Sequence, residues 1–230
     1  MHMTKAITIM SMSMVSNGPR LYQGGRWQVD ALREWLAENF VGCTAPLFEA
    51  AGLLVTTFNY GRRKTLKRHP DFDRLMIEKV ERGLRHPSWQ GLVYVMHWNC
   101  GGVSPLYVGM TDRRGRKQVV NSNIENIRSN DGCFGRWGYS RYYHIGDLSR
   151  AMFGGRDQRK LASKYQRWAD RLFTSAEPPR LRQEVSVALI DWFEGKRGPL
   201  RMPLSVRDAE KEIIKLAKNR DSNLLNWRWA

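Results

Sequence analysis

The chain has 230 residues, 42% hydrophobic and 11% aromatic, enough for one large domain or a small domain with an extension. Lys and Arg total 38 against 22 Asp and Glu, and the net charge of +16 favours a polyanionic partner. No run of about 18 apolar residues is present, which excludes a helical membrane span. Three scattered cysteines, Cys43, Cys100 and Cys133, argue for reduced thiols in the cytoplasm, without a disulfide framework or a Cys-x-x-Cys metal site.

Residues 1–26 are polar, Met-rich and punctuated by glycine. Ala6 to Val15 imitates a signal peptide, but hydroxyl residues interrupt it and no cleavage site follows. From Trp27 the pattern changes. Val29, Leu32, Leu36 and Phe40 fall at helical spacing, and Gly42 ends the run. Thr44 caps a second predicted helix with Pro46 in its first turn and Leu47, Ala51, Leu54, Val55 and Phe58 as its stripe. Gly61 to His69 then carries Arg62, Arg63, Lys64, Lys67 and Arg68 with no acid. A solvated linker and a phosphate-contacting loop both fit that run. Pro70 and Asp71 open a third helix, with Phe72, Leu75, Met76 and Val80 on one face. Residues 1–88 are therefore expected to form a helical, basic, DNA-contacting extension.

Gly91 to Thr111 reads as two strands joined by a Gly-rich turn. Leu92, Tyr94 and Met96 share one face of the first strand, because side chains alternate. Tyr107 points opposite to Leu106 and Val108 on the return strand. Antiparallel pairing can set the two phenols side by side, and plain packing is the alternative reading.

Arg113, Arg114, Arg116 and Lys117 follow the hairpin, and the Asn- and Ser-rich stretch after them reads as an inserted loop near 112–133. Between Cys133 and Ser149 the chain gathers Arg136, Trp137, Tyr139, Arg141, Tyr142, Tyr143 and His144. Basic groups bind phosphate and flat rings stack on bases, although aromatic clusters also simply pack. Lys160 to Phe173 has a helical stripe of Leu161, Tyr165, Trp168 and Leu172, and Pro178-Pro179 stops it. Glu184 to Phe193 is apolar on both faces, the mark of a central strand. The last helix opens on Ser205 and Asp208, a capping-box-like start. Its apolar sector centres on Val206, Ile213 and Ala217 and includes Glu210, whereas Glu212 falls on the solvent side. A carboxylate in an apolar sector is costly unless it pairs with a cation, from the protein or from solution.

Val93-Tyr94 and Tyr107-Val108-Gly109, with Gly91 ahead of the first pair, resemble the double signature of the GIY-YIG nucleases. Phe134-Gly-Arg136 is similar to the restriction-enzyme branch of that family. Ala209-Glu210-Lys-Glu-Ile-Ile214 looks like its metal-binding helix, and Ser222-Asn223-Leu-Leu225 like its terminal asparagine. The likeness runs from Gly91 to about Asn226.

The resemblance implies a mixed α+β fold over 89–230, a small antiparallel three-strand sheet flanked by helices. It implies a metal-dependent endodeoxyribonuclease that cuts duplex DNA, leaving a 5′-phosphate and a 3′-hydroxyl. Glu210 would hold a single Mg2+ or Mn2+, and Arg136 would clamp the phosphate. One of Tyr94 and Tyr107 would orient or deprotonate water. Tyr139 or His144 would take the position that follows the arginine, and Asn223 would orient substrate or a tyrosine. Arg116, Asn226 and Glu212 are the alternatives for arginine, asparagine and carboxylate. Expected DNA contacts are Arg62, Arg63, Lys64, Lys67, Arg68, Arg113, Arg114, Arg116, Lys117 and Arg141. The oligomeric state stays open to a dimer. A repair or mobile-element nuclease and a DNA-binding protein without chemistry are the competing readings.

Overall fold

The computed structural model describes residues 24–98, 104–114, 119–129, 148–153, 163–220 and 224–226. The first predicted helix is present as α1 (Gly24–Phe40), which buries Leu32, Trp35 and Leu36. The second is not. Its residues form β1 (Thr44–Pro46), β2 (Ala50–Ala51), β3 (Leu54–Val55) and β4 (Thr57–Tyr60), and the basic run supplies β5 (Arg63–Leu66). Gly52 and Gly61 have φ of +59° and +60°, a left-handed conformation that glycine adopts without steric cost. These turns cut the apolar stripe into pieces too short for a helix. The third predicted helix is α2 (Pro70–Leu84), whose N-cap His69 accepts the Asp71 N–H on Nδ1 at 3.1 Å.

The rest of the chain gives β6 (Trp89–Trp98), β7 (Ser104–Asp112), α3 (Ser122–Glu125), α4 (Ser149–Phe153), α5 (Ser163–Leu172), β8 (Phe173–Ala176), β9 (Pro179–Leu181), β10 (Val185–Phe193) and α6 (Val206–Arg220). The main sheet has four strands, in the order β1-β10-β6-β7, with every neighbour antiparallel. The expected three strands are β10, β6 and β7, and β1 is the unexpected fourth. A second sheet, β2-β3-β9-β8, and the β4–β5 hairpin complete the strands. Among the described residues, no helix is long and apolar enough to cross a membrane.

Two cores lie on the two faces of the main sheet. Val93, Val95, Val108, Ile190 and Trp192 meet α1 and α6 on one side. Tyr94, Met96, Val187 and Leu189 meet residues from α2, α4 and α5 on the other. Residues 24–88 thus share both cores with the remainder of the chain. The insertion is packed as well: Ile124 and Ile127 are buried, and Arg128 holds Glu81 of α2 through two 2.7 Å hydrogen bonds. The described part of 112–133 therefore packs against α2.

Asp191, near the end of β10, ties α2 to the sheet. Its carboxylate accepts from Lys79 at 3.0 Å, Arg82 at 2.9 Å and the Trp89 indole at 3.2 Å. Lys79 also lies 3.3 Å from the Cys43 sulfur. Lys196 donates to the Asp191 carbonyl at 2.9 Å, and burial pushes its amine below the ordinary lysine range. A buried charge left without its partner is strongly destabilising, so this group acts as a unit.

Glu212 departs from expectation. Its Oε1 accepts the Leu200 N–H at 2.9 Å, and its carboxylate lies where a side chain on Gly198 would stand. It fastens the 196–204 turn to α6 and does not simply face water. Glu212→Ala should cost about 1–3 kcal/mol in urea unfolding, because a partly buried N–H loses its acceptor. Glu212→Gln, which keeps an acceptor oxygen, should cost less.

His97 is 2% exposed, with its ring 4.9 Å from that of Phe40. Its Nε2 has no hydrogen-bond partner among the described residues, and burial pushes the imidazole below its ordinary 6.5. The unfolded chain therefore binds the proton more readily than the folded one. The stability contributed is full above pH 6.5 and is lost as pH falls below it. Urea midpoints measured from pH 8 to pH 5.5 should decline in the wild type and decline less in His97→Leu.

Candidate active site on the tyrosine hairpin

The hairpin puts both phenols on one face. Tyr94 pairs with Gly109 and Met96 with Tyr107, so the two tyrosines are diagonal neighbours across β6 and β7. Their ring centroids are 6.1 Å apart, with planes tilted by 40°. Tyr107 also meets Trp168 of α5 at 4.6 Å. Both phenols are largely buried, at 3% and 8% exposure.

The signature glycines have steric reasons for being there. The Tyr94 ring lies flat across Gly109, and any Cβ at that position would fall inside it. A Cβ on Gly91 would strike the Thr111 carbonyl across the strand pair. The spacing of glycines and tyrosines is thus a packing requirement of this hairpin.

Strand β7 is one edge of the main sheet, and residues 224–226 run along it. The Leu225 N–H donates to the Leu106 carbonyl at 2.7 Å. Asn226 does the work of a strand with its side chain: Nδ2 donates to the Val108 carbonyl at 2.8 Å, and Oδ1 accepts the Val108 N–H at 2.9 Å. The Trp168 indole donates to the Leu225 carbonyl at 3.3 Å. Asn226, the alternative in the sequence, grips the tyrosine strand between Tyr107 and Gly109. Asn223 lies outside the described residues, as do Arg116, Lys117, Arg136, Tyr139, Arg141 and His144.

Glu210 is half-buried within the apolar sector of α6, with Ala209 and Ile213 buried beside it. The capping box forms as expected. The Ser205 hydroxyl donates to Asp208 at 2.7 Å and accepts the Asp208 N–H at 3.1 Å. Hydrogen bonds from Lys211 and Ser205 hold the Asp208 carboxyl below the usual carboxylate range. The helix packs on the face of Val93, Val95 and Val108, whereas the phenols project from the other face. The hairpin thus brings the tyrosines together but does not bring the α6 helix onto their side. Among the described residues, no group of three His, Cys, Asp or Glu side chains converges as a metal cage.

The expected DNA contacts divide. Lys64 pairs with Glu177 at 2.7 Å, Lys67 with Glu49 at 2.9 Å and Arg68 with Asp73 at 2.9 Å. Arg113 turns inward, and its guanidinium donates to the carbonyls of Leu84, His86 and Pro87 at 3.1, 2.8 and 3.2 Å. It caps the C-terminus of α2, where orphan carbonyls attract a cation, and is not a free phosphate contact. Arg62, in the β4–β5 turn, and Arg114 are exposed. Arg63 lies in β5. Sequence reasoning placed Trp168 on an apolar stripe but had no means of pairing it with Tyr107, because the partners are distant in the chain.

Gly109→Ala should destabilise the chain by about 1–3 kcal/mol in urea, the usual range for forcing extra atoms into a packed site. In a Tyr94→Leu background, which removes the ring, the same change should cost clearly less. Equal costs in both backgrounds would show that the Tyr94 ring does not lie over residue 109. Comparisons with protein-family models, with curated proteins and with solved structures gave no match to this chain.

Proposed function

We propose that this chain is a metal-dependent endodeoxyribonuclease of GIY-YIG type that hydrolyses phosphodiesters in duplex DNA at specific sites. The observation that carries the reading is the pairing of Tyr94 and Tyr107 on one face of a two-strand hairpin, over a glycine that the Tyr94 ring requires. The net charge of +16 supports a polyanionic substrate.

A free phenol has a pKa near 10. For Tyr94 or Tyr107 to accept a proton from water near neutral pH, a neighbouring base or cation must stabilise its anion. Asn226 fixes the Val108 peptide and with it the place of Tyr107. Arg136, with its planar fork of donors, would hold two oxygens of the scissile phosphate at once. Glu210 is the residue that would hold Mg2+ or Mn2+. One carboxylate fits such an ion, because Mg2+ is commonly held by one or two carboxylates together with water and substrate phosphates. When bound, the ion supplies positive charge against the scissile phosphate. The helix that carries Glu210 and the phenols cover opposite faces of the sheet.

The second reading is a protein that binds DNA without cutting it. The deep burial of both phenols and the placement of α6 on the other face favour it.

Incubation of plasmid DNA with the purified chain and Mg2+ separates the two readings. Cleavage should occur, and mapped ends should carry a 5′-phosphate. Arg136→Ala should lower cutting at least about 100-fold, as expected for loss of a donor that stabilises developing charge. Glu210→Gln should remove the metal-dependent activity while DNA affinity holds. Arg116→Ala should weaken binding more than cutting. DNA that is bound but stays intact with Mg2+ and with Mn2+ would establish the second reading.

A further inference from the structure

Cys43 sits between α1 and β1 and is the one cysteine among the described residues. Its backbone is fixed on both sides. The Cys43 N–H donates to the Phe40 carbonyl at 3.1 Å, and the Cys43 carbonyl accepts the Leu189 N–H of β10 at 2.8 Å. The residue is partly exposed. Lys79 of α2 meets it, with Nζ 3.3 Å from Sγ. Lys79 is 5% exposed, and its Nζ is held in place by Asp191 at 3.0 Å. A fixed, buried amine thus stands against a cysteine that solvent can reach.

A hydrogen bond alone would account for such a contact, and two features go beyond it. The 3.3 Å separation falls within the range of about 3–3.5 Å at which groups held together react as parts of one molecule. The surrounding charge is also lopsided. Lys79, Arg82 and Lys196 all bond Asp191, whose carboxylate carries a single charge. Burial pushes the Lys196 amine below the ordinary lysine range, and the charge on Lys79 adds to that push. Loss of the Lys79 charge would relieve this crowding, while Asp191 kept Arg82 and the Trp89 indole.

We infer that Cys43 and Lys79 are a peroxide-modified pair, joined by hydrogen peroxide through a reversible N–O–S link between Nζ and Sγ. The thiol proton goes to solvent, and sulfur attacks one peroxide oxygen. The O–O bond breaks, and the leaving hydroxide takes a proton from Lys79 and departs as water. Cys43 is then a sulfenic acid, and Lys79 is a free amine. The amine attacks a second peroxide, whose O–O bond breaks to release another water and leave a hydroxylamine. Its oxygen attacks the Cys43 sulfur, the S–OH bond breaks, and a third water leaves. Sulfur and nitrogen are oxidised, and two peroxides are reduced.

The folded chain, treated with hydrogen peroxide and digested with trypsin without reductant, should yield residues 34–62 joined to 75–82. With Met76 unoxidised, the joined pair should be about 14 Da heavier than its two peptides together, one oxygen gained and two hydrogens lost. Dithiothreitol should separate them. Lys79→Arg keeps a cation beside Asp191 but has no amine to join. Its Cys43 should stop at the sulfenic acid, which dimedone should capture several-fold more than in the wild type. Cys43→Ser should give neither product. Wild type unfolded in urea before treatment should lose the link, because the fold alone holds the two atoms together. A joined pair about 2 Da lighter would mark a direct S–N bond, and a link to Lys196 would mark a different amine. Either result overturns the inference. So does a yield unchanged in urea, or Cys43 recovered from folded wild type with no linked pair.

Discussion

Burial of β6 and β10 on both faces is the constraint from which the rest of the structure follows. Unpartnered polar groups are costly in a strand covered on both sides. From Gly91 to Trp98 every residue of β6 is buried, and Tyr94 and His97 are the ionisable side chains there. In β10 the only carboxylate, Asp191, sits close to the strand end, where Lys79, Arg82 and Trp89 can all reach it. Polar chemistry is thereby driven to the margin of the sheet. The margin on the β7 side carries Tyr107, Gly109 and the Asn226 side chain.

The same constraint explains which elements could be read from sequence. β10 and the tyrosine hairpin were legible because continuous apolar runs with β-branched residues have few alternatives. α1, α2 and α6 were legible because their apolar residues repeat at helical spacing and their ends carry Pro, Ser or Gly. The stretch 44–66 was misread, since Leu47, Ala51, Leu54, Val55 and Phe58 happen to match helical spacing. Only the left-handed turns at Gly52 and Gly61 reveal that it is folded as strands. β8 and β9 were invisible for another reason. They pair with each other, but β9 also pairs with β3 at Leu54, far off in the chain, and a strand of three or four residues carries too little pattern to show itself.

Within the candidate site, the legible part was the hairpin, and the illegible part was what surrounds it. Alternation along two strands suffices to put Tyr94 and Tyr107 on one face. It does not show that Tyr94 fills the space above Gly109, or that Trp168 packs on Tyr107. That the Asn226 side chain falls opposite the Val108 peptide was equally beyond sequence. Periodicity did place Glu210 in the apolar sector of α6. It could not say that this sector faces away from the phenols, since the two faces of a central sheet are equally apolar.

That separation bears on how the two halves of the candidate site could cooperate. Helix α6 is joined to the phenol strand at both ends. Arg207 pairs with Asp112 at the end of β7, and the chain beyond α6 returns to Leu106 and Val108 through Leu225 and Asn226. Both attachments are made to β7, the strand that carries Tyr107. The Asn226 clamp, with both polar ends of its amide on one peptide, resists sliding better than a single hydrogen bond because register and orientation must be lost together. Carboxylate and phenols thus sit on elements that both attach to strand β7, even though those elements cover opposite faces of the sheet.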